Sequence, residues 1–155
     1  MGRVVLAGAA AGAAGTTALN AVTYLDMALR GRPASDTPQQ AVQKLADRTG
    51  VNIPGEGERR EGRVQGLGPL MGILTGVGVG LVLGVARRLG WRAPLAVDVV
   101  AATALATVGA NAPMARLGVS DPRTWSAADW ATDLVPHLAY GVVTAVSLHT
   151  LDDGR

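Results

Sequence analysis

The stretch that decides the fold is GPLMGILTGVGVGLVLG, residues 68–84, which contains no charged side chain. A glycine stands at every fourth position of this stretch: Gly68, Gly72, Gly76, Gly80 and Gly84. Residues four apart lie on one face of an α-helix, so the spacing predicts a flat ridge without side chains. In lipid the hydrophobic drive between helices is weak, and such a ridge lets two backbones approach closely. We therefore expect a membrane-spanning helix that packs through its glycines.

Three further stretches are equally poor in charge. The windows 4–25, 67–86, 95–112 and 134–151 contain one charged side chain between them, Asp98, although 17% of the whole chain is charged. At about 1.5 Å per residue, windows of this length cover roughly 30 Å, which matches the hydrocarbon core of a bilayer. The sequence therefore predicts an all-α polytopic membrane protein. Its four spans in a single transmembrane domain, 1–155, are expected at about 4–29, 67–86, 95–112 and 131–151.

The alanine-rich first and third windows leave two alternatives open. One is a soluble, alanine-rich helical bundle, which would need a polar face on most of its helices. The other concerns VVLAGAAAGAAG, residues 4–15, which behind Arg3 is also compatible with a secretory signal that ends in small residues. The apolar stretch continues to Leu25, however, which is longer than the usual core of a signal peptide.

The first loop, 30–66, is the only sizeable segment expected outside the membrane. Within it, residues 37–50 predict a short amphipathic helix, with Thr37 as N-cap, Pro38 at the first helical position and Gln40 completing a capping box. One face of this helix is apolar and is expected to lie on the membrane surface or on the end of the bundle. Its members are Ala41, Val42, Leu45 and Ala46.

The other connections carry their own local signals. Residues 52–66, NIPGEGERREGRVQG, are rich in glycine and charge and predict a mobile segment. Pro113 is expected to end the third helix, and Pro136 to kink the fourth. A capping box of Ser126 and Asp129 is predicted at the start of the fourth helix.

Four spans place both termini on one side of the membrane. The side with the first and third loops carries nine Arg or Lys residues and the other side five, which favours a cytoplasmic first loop and external termini. Arg87 and Arg88 oppose this orientation. Trp125 and Trp130 on one side and Trp91 on the other are typical interfacial anchors. The Phe-free composition is typical of a GC-rich bacterial genome.

The glycine ridge has a counterpart in the first span, where Gly8 and Gly12 lie among other small residues that include Ala11 and Gly15. Two interpretations remain. The glycines could pack the first span against the second within one subunit, or they could build an oligomer or line a pore. The sequence GVGVG is not a phosphate loop, because no strand precedes it and no Lys follows.

Polar side chains recur at steps of three or four along three of the spans, and we expect them to form a polar seam inside the bundle. The fourth span carries Asp133, His137, Tyr140 and Thr144; the third carries Thr103, Thr107 and Asn111; the first carries Thr16, Asn20 and Thr23. The order of the helices predicts that Asp26, Asn111, Asp133 and His137 gather at one end. Asp98 belongs to the other end, where Arg87, Arg88 and Arg92 are candidate ion-pair partners.

His137 has three possible roles: a hydrogen-bonded structural histidine, a protonation switch or proton path, and a metal ligand. One histidine with scattered carboxylates does not make a ligand set, and His149 lies at the opposite end, so no metal or cofactor is expected. No set of nucleophile, base and orienting group is visible, so we do not expect an enzyme.

The chain resembles the YagU-like group of small bacterial inner-membrane proteins. The resemblance rests on GAAAGAAGTTALN at 8–20, RGRPASDTP at 30–38 and DLVPHLAYG at 133–141. It implies a multi-span inner-membrane protein of poorly defined role, sometimes linked to acid tolerance.

Two functions follow as expectations. The first is a non-enzymatic inner-membrane protein that acts as a helix-packing subunit or accessory component of a membrane assembly, either with copies of itself or within a larger complex. The alternative is a proton or small-solute conduit, or a pH-responsive membrane protein, that uses the polar seam. The lipid bilayer is an expected partner, whereas the small net charge of +2 argues against nucleic acid.

Overall fold

The computed structural model describes the backbone of residues 2–153 and the side chains as far as Leu151, and no strand occurs among these residues. The described residues form five α-helices and one short 3-10 helix, Pro122–Thr124. The α-helices are α1 (Gly2–Arg30), α2 (Thr37–Thr49), α3 (Gly57–Arg88), α4 (Leu95–Leu117) and α5 (Ala127–Asp153). All except α2 are long and apolar enough to cross a membrane. The predicted four spans, and the short helix in the first loop, are therefore confirmed.

The outer surface of the bundle is apolar around the long helices. Leu74 on α3 is 70% exposed, and Val100 and Val108 on α4 are 68% and 61% exposed. A soluble helix turns a polar face outwards, whereas these helices turn outwards the leucines and valines that a lipid environment accommodates. The chain is an integral, multi-pass membrane protein.

The centre of the bundle is built largely from small residues. Helix α1 lies between α3 and α5, α4 packs mainly on α5 and less on α3, and α2 covers the end of α3 and α4. The main apolar core contains Ala11, Leu83, Ala102, Ala106, Tyr140 and Leu148. Alanines at the contacts allow the helix axes to approach closely, as is typical of association in lipid.

Helix α2 packs on the end of the bundle, and its capping differs from the prediction. Its N-cap is Asp36 rather than Thr37, and no capping box with Gln40 forms. The hydroxyl of Ser35 instead accepts a hydrogen bond from the Thr37 backbone N–H, at 3.2 Å. The helix ends at Gly50, whose φ of 69° is left-handed and suits a residue without a side chain.

The segment 52–66 was expected to be mobile, and for residues 57–66 this prediction is wrong, because they are helical. Helix α3 begins at Gly57, ten residues before the predicted span. Glu and Arg are good helix formers, and the extension gains tertiary contacts because Val64 is buried against Val42 of α2 and Ile53 of the connection. The first loop is therefore an ordered layer on this end of the bundle.

The expected end of the third helix is also wrong. Helix α4 continues past Pro113 to Leu117 and stops at Gly118, which adopts a left-handed φ of 68°. The predicted capping box at the start of α5 is confirmed. The Asp129 carboxylate accepts a hydrogen bond of 2.9 Å from the Ser126 backbone N–H, and the Ser126 hydroxyl accepts one of 3.2 Å from the Asp129 N–H.

Candidate functional site

The glycine ridge joins α1 and α3 within the single chain. A Cβ atom added to Gly12 would lie 2.6 Å from the carbonyl oxygen of Gly76, and one added to Gly84 would lie 2.9 Å from that of Val4. A Cβ on Gly8 would likewise collide with the backbone of Gly80. The two backbones thus touch at positions where no residue larger than glycine fits. This contact supports the first of the two interpretations, in which the glycines pack the first span against the second within one subunit.

Two glycines of the ridge, Gly68 and Gly72, lie outside the contact between α1 and α3. Gly68 is buried under the first turn of α2, where an added Cβ would come within 3.2 Å of Pro38, whereas a Cβ on Gly72 would meet nothing within 4 Å. The structure adds a close approach that the sequence analysis did not single out. Gly141 of α5 lies so close to α4 that its Cβ would be 2.8 Å from the Val99 carbonyl oxygen. An isolated glycine in an apolar helix was the only signal for it.

The middle of the polar seam is closed by hydrogen bonds to backbone. The Tyr140 side chain is 1% exposed, and its hydroxyl donates to the carbonyl oxygen of Gly76 at 2.6 Å. The hydroxyl of Thr16, beside Gly76, donates to Gly12 at 2.8 Å. Tyr140 thus joins α5 to α3, and Thr16 of α1 packs against Gly76 of α3.

The remaining polar side chains of the seam have fewer hydrogen-bond partners. Thr103 donates to the Val99 carbonyl at 2.8 Å. The hydroxyls of Thr107 and Thr144 are buried without a hydrogen-bond partner among the described residues. Asn20, on the edge of the packed face of α1, is half-buried, and its amide makes no hydrogen bond to another described residue. The seam is therefore a packed interface with a few unpaired polar groups.

At the end with the first and third loops, three of the four predicted residues meet. The Asn111 amide donates to the Asp133 carboxylate at 3.0 Å and so joins α4 to α5. His137 is 8% exposed, and its Nδ1 lies 2.7 Å from the backbone carbonyl oxygen of Asp133. We call Asn111, Asp133 and His137 the Asp133 cluster.

The backbone carbonyl beside His137 shows which ring nitrogen donates a hydrogen bond. A carbonyl oxygen only accepts hydrogen bonds, so His137 donates to it through its Nδ1–H. Asp26, the fourth residue expected here, is instead paired with Arg32 at 2.5 Å and with Arg30 at 3.5 Å. Arg30 also reaches the hydroxyl of Thr132, so Asp26 lies beside the cluster without joining it.

A denser cluster occupies the opposite end of the bundle. Asp98 is 1% exposed, and its Oδ2 lies 2.5 Å from Arg87 Nη2 and 2.7 Å from His149 Nε2. Its Oδ1 accepts a hydrogen bond of 2.8 Å from the indole of Trp91. We call these four residues the Asp98 cluster; it ties together α3, the α3–α4 connection, α4 and α5.

The expected ion pair between Asp98 and Arg87 is present, whereas Trp91 and His149 were not expected in it. The carboxylate receives three N–H donors, which is the arrangement that makes a buried charge tolerable. A carboxylate only accepts hydrogen bonds, so His149 donates to Asp98 through its Nε2–H. The His149 side chain is 26% exposed, so solvent or headgroups reach it while Asp98 stays enclosed.

The loop before α5 contains an exposed pair with simpler electrostatics. Arg123 donates from Nε and Nη2 to the two carboxylate oxygens of Asp121, both at 2.9 Å. These hydrogen bonds lower the pKa of Asp121 below its ordinary value, and the same contact raises the pKa of Arg123. The pair fastens the turn around the 3-10 helix.

Two open grooves mark the outer surface of the bundle. One, of about 350 Å³, lies between α1 and α5 and is lined by Ala10, Ala14, Val146, Ser147, Thr150 and Leu151. The other, of about 250 Å³, lies beside the C-terminal half of α4 and is lined by Thr107, Val108, Asn111, Ala112, Ala115, Pro122 and Trp130. Within the described part of the chain, no three His, Cys, Asp or Glu side chains are grouped so as to hold a metal ion.

The chain matches no protein-family model, no curated protein and no solved structure. The site is accordingly defined by its own geometry: a closed glycine and tyrosine seam with one paired polar cluster at each end.

Proposed function

We propose that this protein is a non-enzymatic, helix-packing subunit of an assembly in a bacterial inner membrane. The packing of the seam supports a structural role over a passage for solutes, because Tyr140 is buried and bonded to Gly76, and the backbones of α1 and α3 are in contact. The Phe-free composition and the resemblance to the YagU-like group support the bacterial inner membrane as its location.

The observation that carries the proposal is the amide of Asn20. It lies on a membrane-spanning helix, half-buried, without a hydrogen-bond partner among the described residues. An amide left unpaired in hydrocarbon costs a few kcal/mol, roughly 2–7 depending on the reference environment. A neighbouring helix that supplies a donor or acceptor removes this cost, and Asn side chains join membrane helices in this way.

A second feature supports a partner helix on this side of the bundle. α1 and α3 are consecutive membrane-spanning helices that run in opposite directions, and they stay in contact from Gly84 to Gly76. One turn further along α3, at Gly72, no atom lies within 4 Å of an added Cβ, so the helices have separated. Asn20 is one turn beyond Thr16, the residue that touches Gly76. The unpaired amide and the open glycine therefore flank the same gap.

The test compares Asn20→Val with Thr17→Val. Thr17 lies on the exposed side of α1 and satisfies its hydroxyl on its own helix, through the Ala13 carbonyl at 3.0 Å, so it is a matched control. Protein extracted in a mild detergent or in native nanodiscs is weighed by native mass spectrometry. We expect wild type and Thr17→Val to retain an oligomer or a bound partner.

Asn20→Val should lose that assembly without a lower unfolding temperature, because the isolated chain does not use the amide. A wild-type chain that is monomeric and free of partners in native nanodiscs would contradict the proposal, and so would an assembly unchanged by Asn20→Val.

A second candidate function is pH response at the Asp98 cluster. The specific observation is the 2.7 Å contact of His149 with Asp98, beside Arg87, on a side chain that is accessible from the membrane surface. The Oδ2 atom of Asp98 contacts both His149 and Arg87, so a change at the imidazole acts directly on the ion pair that joins α3 to α4.

Trp91 provides the measurement, because its indole donates to the same carboxylate. If the cluster rearranges with pH, tryptophan emission should change between pH 5 and pH 8 in wild type and stay constant in His149→Gln. An identical pH profile in the two proteins would exclude this candidate.

A further inference from the structure

The groove beside α4 lies on the outside of the bundle, in the half of the helix that leads to the third loop. Its α4 residues run from Thr107 to Ala115, about 12 Å along the axis. The buried residues Ala102 and Ala106 occupy the opposite face of the same helix, and Val108 in the groove is 61% exposed. In a membrane this groove therefore opens towards the acyl chains, and an occupant enters it from the bilayer.

The α5 wall of the groove is the ring of Trp130, which is 38% exposed. Trp125 packs edge-on against this ring, with the centroids 5.0 Å apart. Indoles favour the level of the lipid headgroups, and the face of an indole attracts cations. The wall thus offers a cation-binding surface at the depth where the charged head of a membrane amphiphile lies.

A carboxylate lies at the rim of the same groove. Asp133 follows Trp130 by three residues, and on a helix this spacing makes the two side chains neighbours on one face. The carboxylate of Asp133 accepts a hydrogen bond of 3.0 Å from the amide of Asn111, which lines the groove from α4. Although it is held between these two groove residues, the Asp133 side chain is still 18% exposed.

The charge of Asp133 is not balanced in the way that other carboxylates of the chain are. Asp26, Asp98 and Asp121 each form an ion pair with an arginine. Among the described residues, Asp133 has no arginine or lysine partner; His137 lies 3.5 Å from its carboxylate, and the Nδ1–H of that ring donates to the backbone carbonyl. A carboxylate at the edge of the hydrocarbon is stabilised by a cation placed beside it.

We propose that this groove binds a lipophilic organic cation, an amphiphile with one ammonium or pyridinium head and a single apolar tail. The head lies between the Trp130 ring and the Asp133 carboxylate, and the tail lies along Val108 and Ala112. An apolar cavity of about 150 Å³ accommodates benzene, so a groove of about 250 Å³ admits a ring-sized head with part of its tail. A zwitterionic phospholipid fits less well, because its phosphate brings a second negative charge towards Asp133.

The experiment follows the tryptophan emission of the full-length protein in nanodiscs of zwitterionic lipid. The probe is N-octylpyridinium, whose pyridinium ring quenches indoles on contact. For the wild type we expect saturable quenching that excess octyltrimethylammonium reverses and that neutral 1-phenyloctane does not.

Two substitutions test the charge. Asp133→Asn retains an acceptor for the Asn111 amide and removes the negative charge, so the dissociation constant of the probe should rise roughly fivefold. Asp36→Asn removes an exposed carboxylate at the same end of the bundle and should leave the constant unchanged, as the matched control.

The groove itself is tested by filling it. Ala115→Phe should abolish the saturable quenching, whereas Ala104→Phe adds the same ring to an exposed position of α4 outside the groove and should retain it. If Ala115→Phe lowers the unfolding temperature, Val108→Phe replaces it.

Quenching of the wild type that rises linearly without saturation would overturn the proposal, because it reports partition into the bilayer alone. Equal dissociation constants for the wild type and Asp133→Asn would overturn it as well. Displacement of the probe by sodium ions at the concentration used for octyltrimethylammonium would do the same, since it would indicate a site for an inorganic cation.

Discussion

The side chains of His149 and Asp98 are 2.7 Å apart between α5 and α4, although 51 residues separate them in the chain. The same carboxylate oxygen accepts from Arg87 of α3. Three membrane-spanning helices are thereby fastened at one end of the bundle through a single buried carboxylate.

Asp98→Asn should destabilise the protein strongly. It keeps the shape of the side chain but removes the charge that Arg87 and His149 share. Breaking a buried ion pair from one side typically costs roughly 3–5 kcal/mol. Thermal unfolding in detergent measures this loss. Asp26→Asn, which removes a more accessible carboxylate, is the control and should have a smaller effect; equal effects would show that the Asp98 cluster contributes no more than a surface pair.

The glycine ridge predicts opposite results for two alanine substitutions. Gly12→Ala places a methyl group 2.6 Å from the Gly76 carbonyl oxygen, so α1 and α3 must separate, and we expect a loss of about 1–3 kcal/mol. Gly72→Ala meets no atom within 4 Å and should be neutral, or stabilising by up to about 1 kcal/mol through helix propensity. Equal unfolding temperatures for the two variants would contradict the packing described.

Tyr140→Phe tests the middle of the seam. The ring remains in the core while the hydrogen bond to Gly76 is lost, and a loss of about 0.5–1.5 kcal/mol is expected. Because the bundle stays closed, ion flux in liposomes should remain at the level of empty vesicles for both wild type and variant. Flux through the wild type would show that the seam opens.

The sequence was sufficient for the four spans because the exclusion of charge from a stretch of some 20 residues depends only on composition. The faces of the helices also followed from periodicity, so Gly12 and Gly80 were recognised as contact positions. Which helix each face meets depends on crossing angles. Gly72 shares the spacing of its neighbours and yet lies where the helices have separated.

Other features could not be obtained from local patterns. His149 was placed correctly in depth, but its pairing with Asp98 requires the rotation of α5 against α4, which the sequence does not encode locally. Residues 57–66 have a composition typical of mobile segments, and the contact of Val64 with Val42 and Ile53 makes them helical. Tertiary packing decided both cases.

The loop pair Asp121–Arg123 yields a prediction about pH. Hydrogen bonds from Arg123 hold the pKa of Asp121 below its ordinary value, so Arg123→Gln should raise this pKa, as observed by NMR titration of the carboxyl group. Because the folded-state pKa is lowered, the pair stabilises the loop above the unfolded-state pKa. That stabilisation is lost as the pH falls through the folded-state pKa. An unchanged titration in the variant would contradict the pairing.

Membrane embedding is the central claim, and the absence of cysteine from the chain gives it a direct test. Single cysteines are introduced at Asp36, Ala93, Ser120, Leu74 and Val100, and intact vesicles are treated with a membrane-impermeant maleimide. Cysteines at Asp36 and Ser120 should react from one side and that at Ala93 from the other, while those at Leu74 and Val100 should stay unlabelled until detergent is added. Rapid labelling of Leu74→Cys and Val100→Cys without detergent would contradict a four-span bundle in lipid.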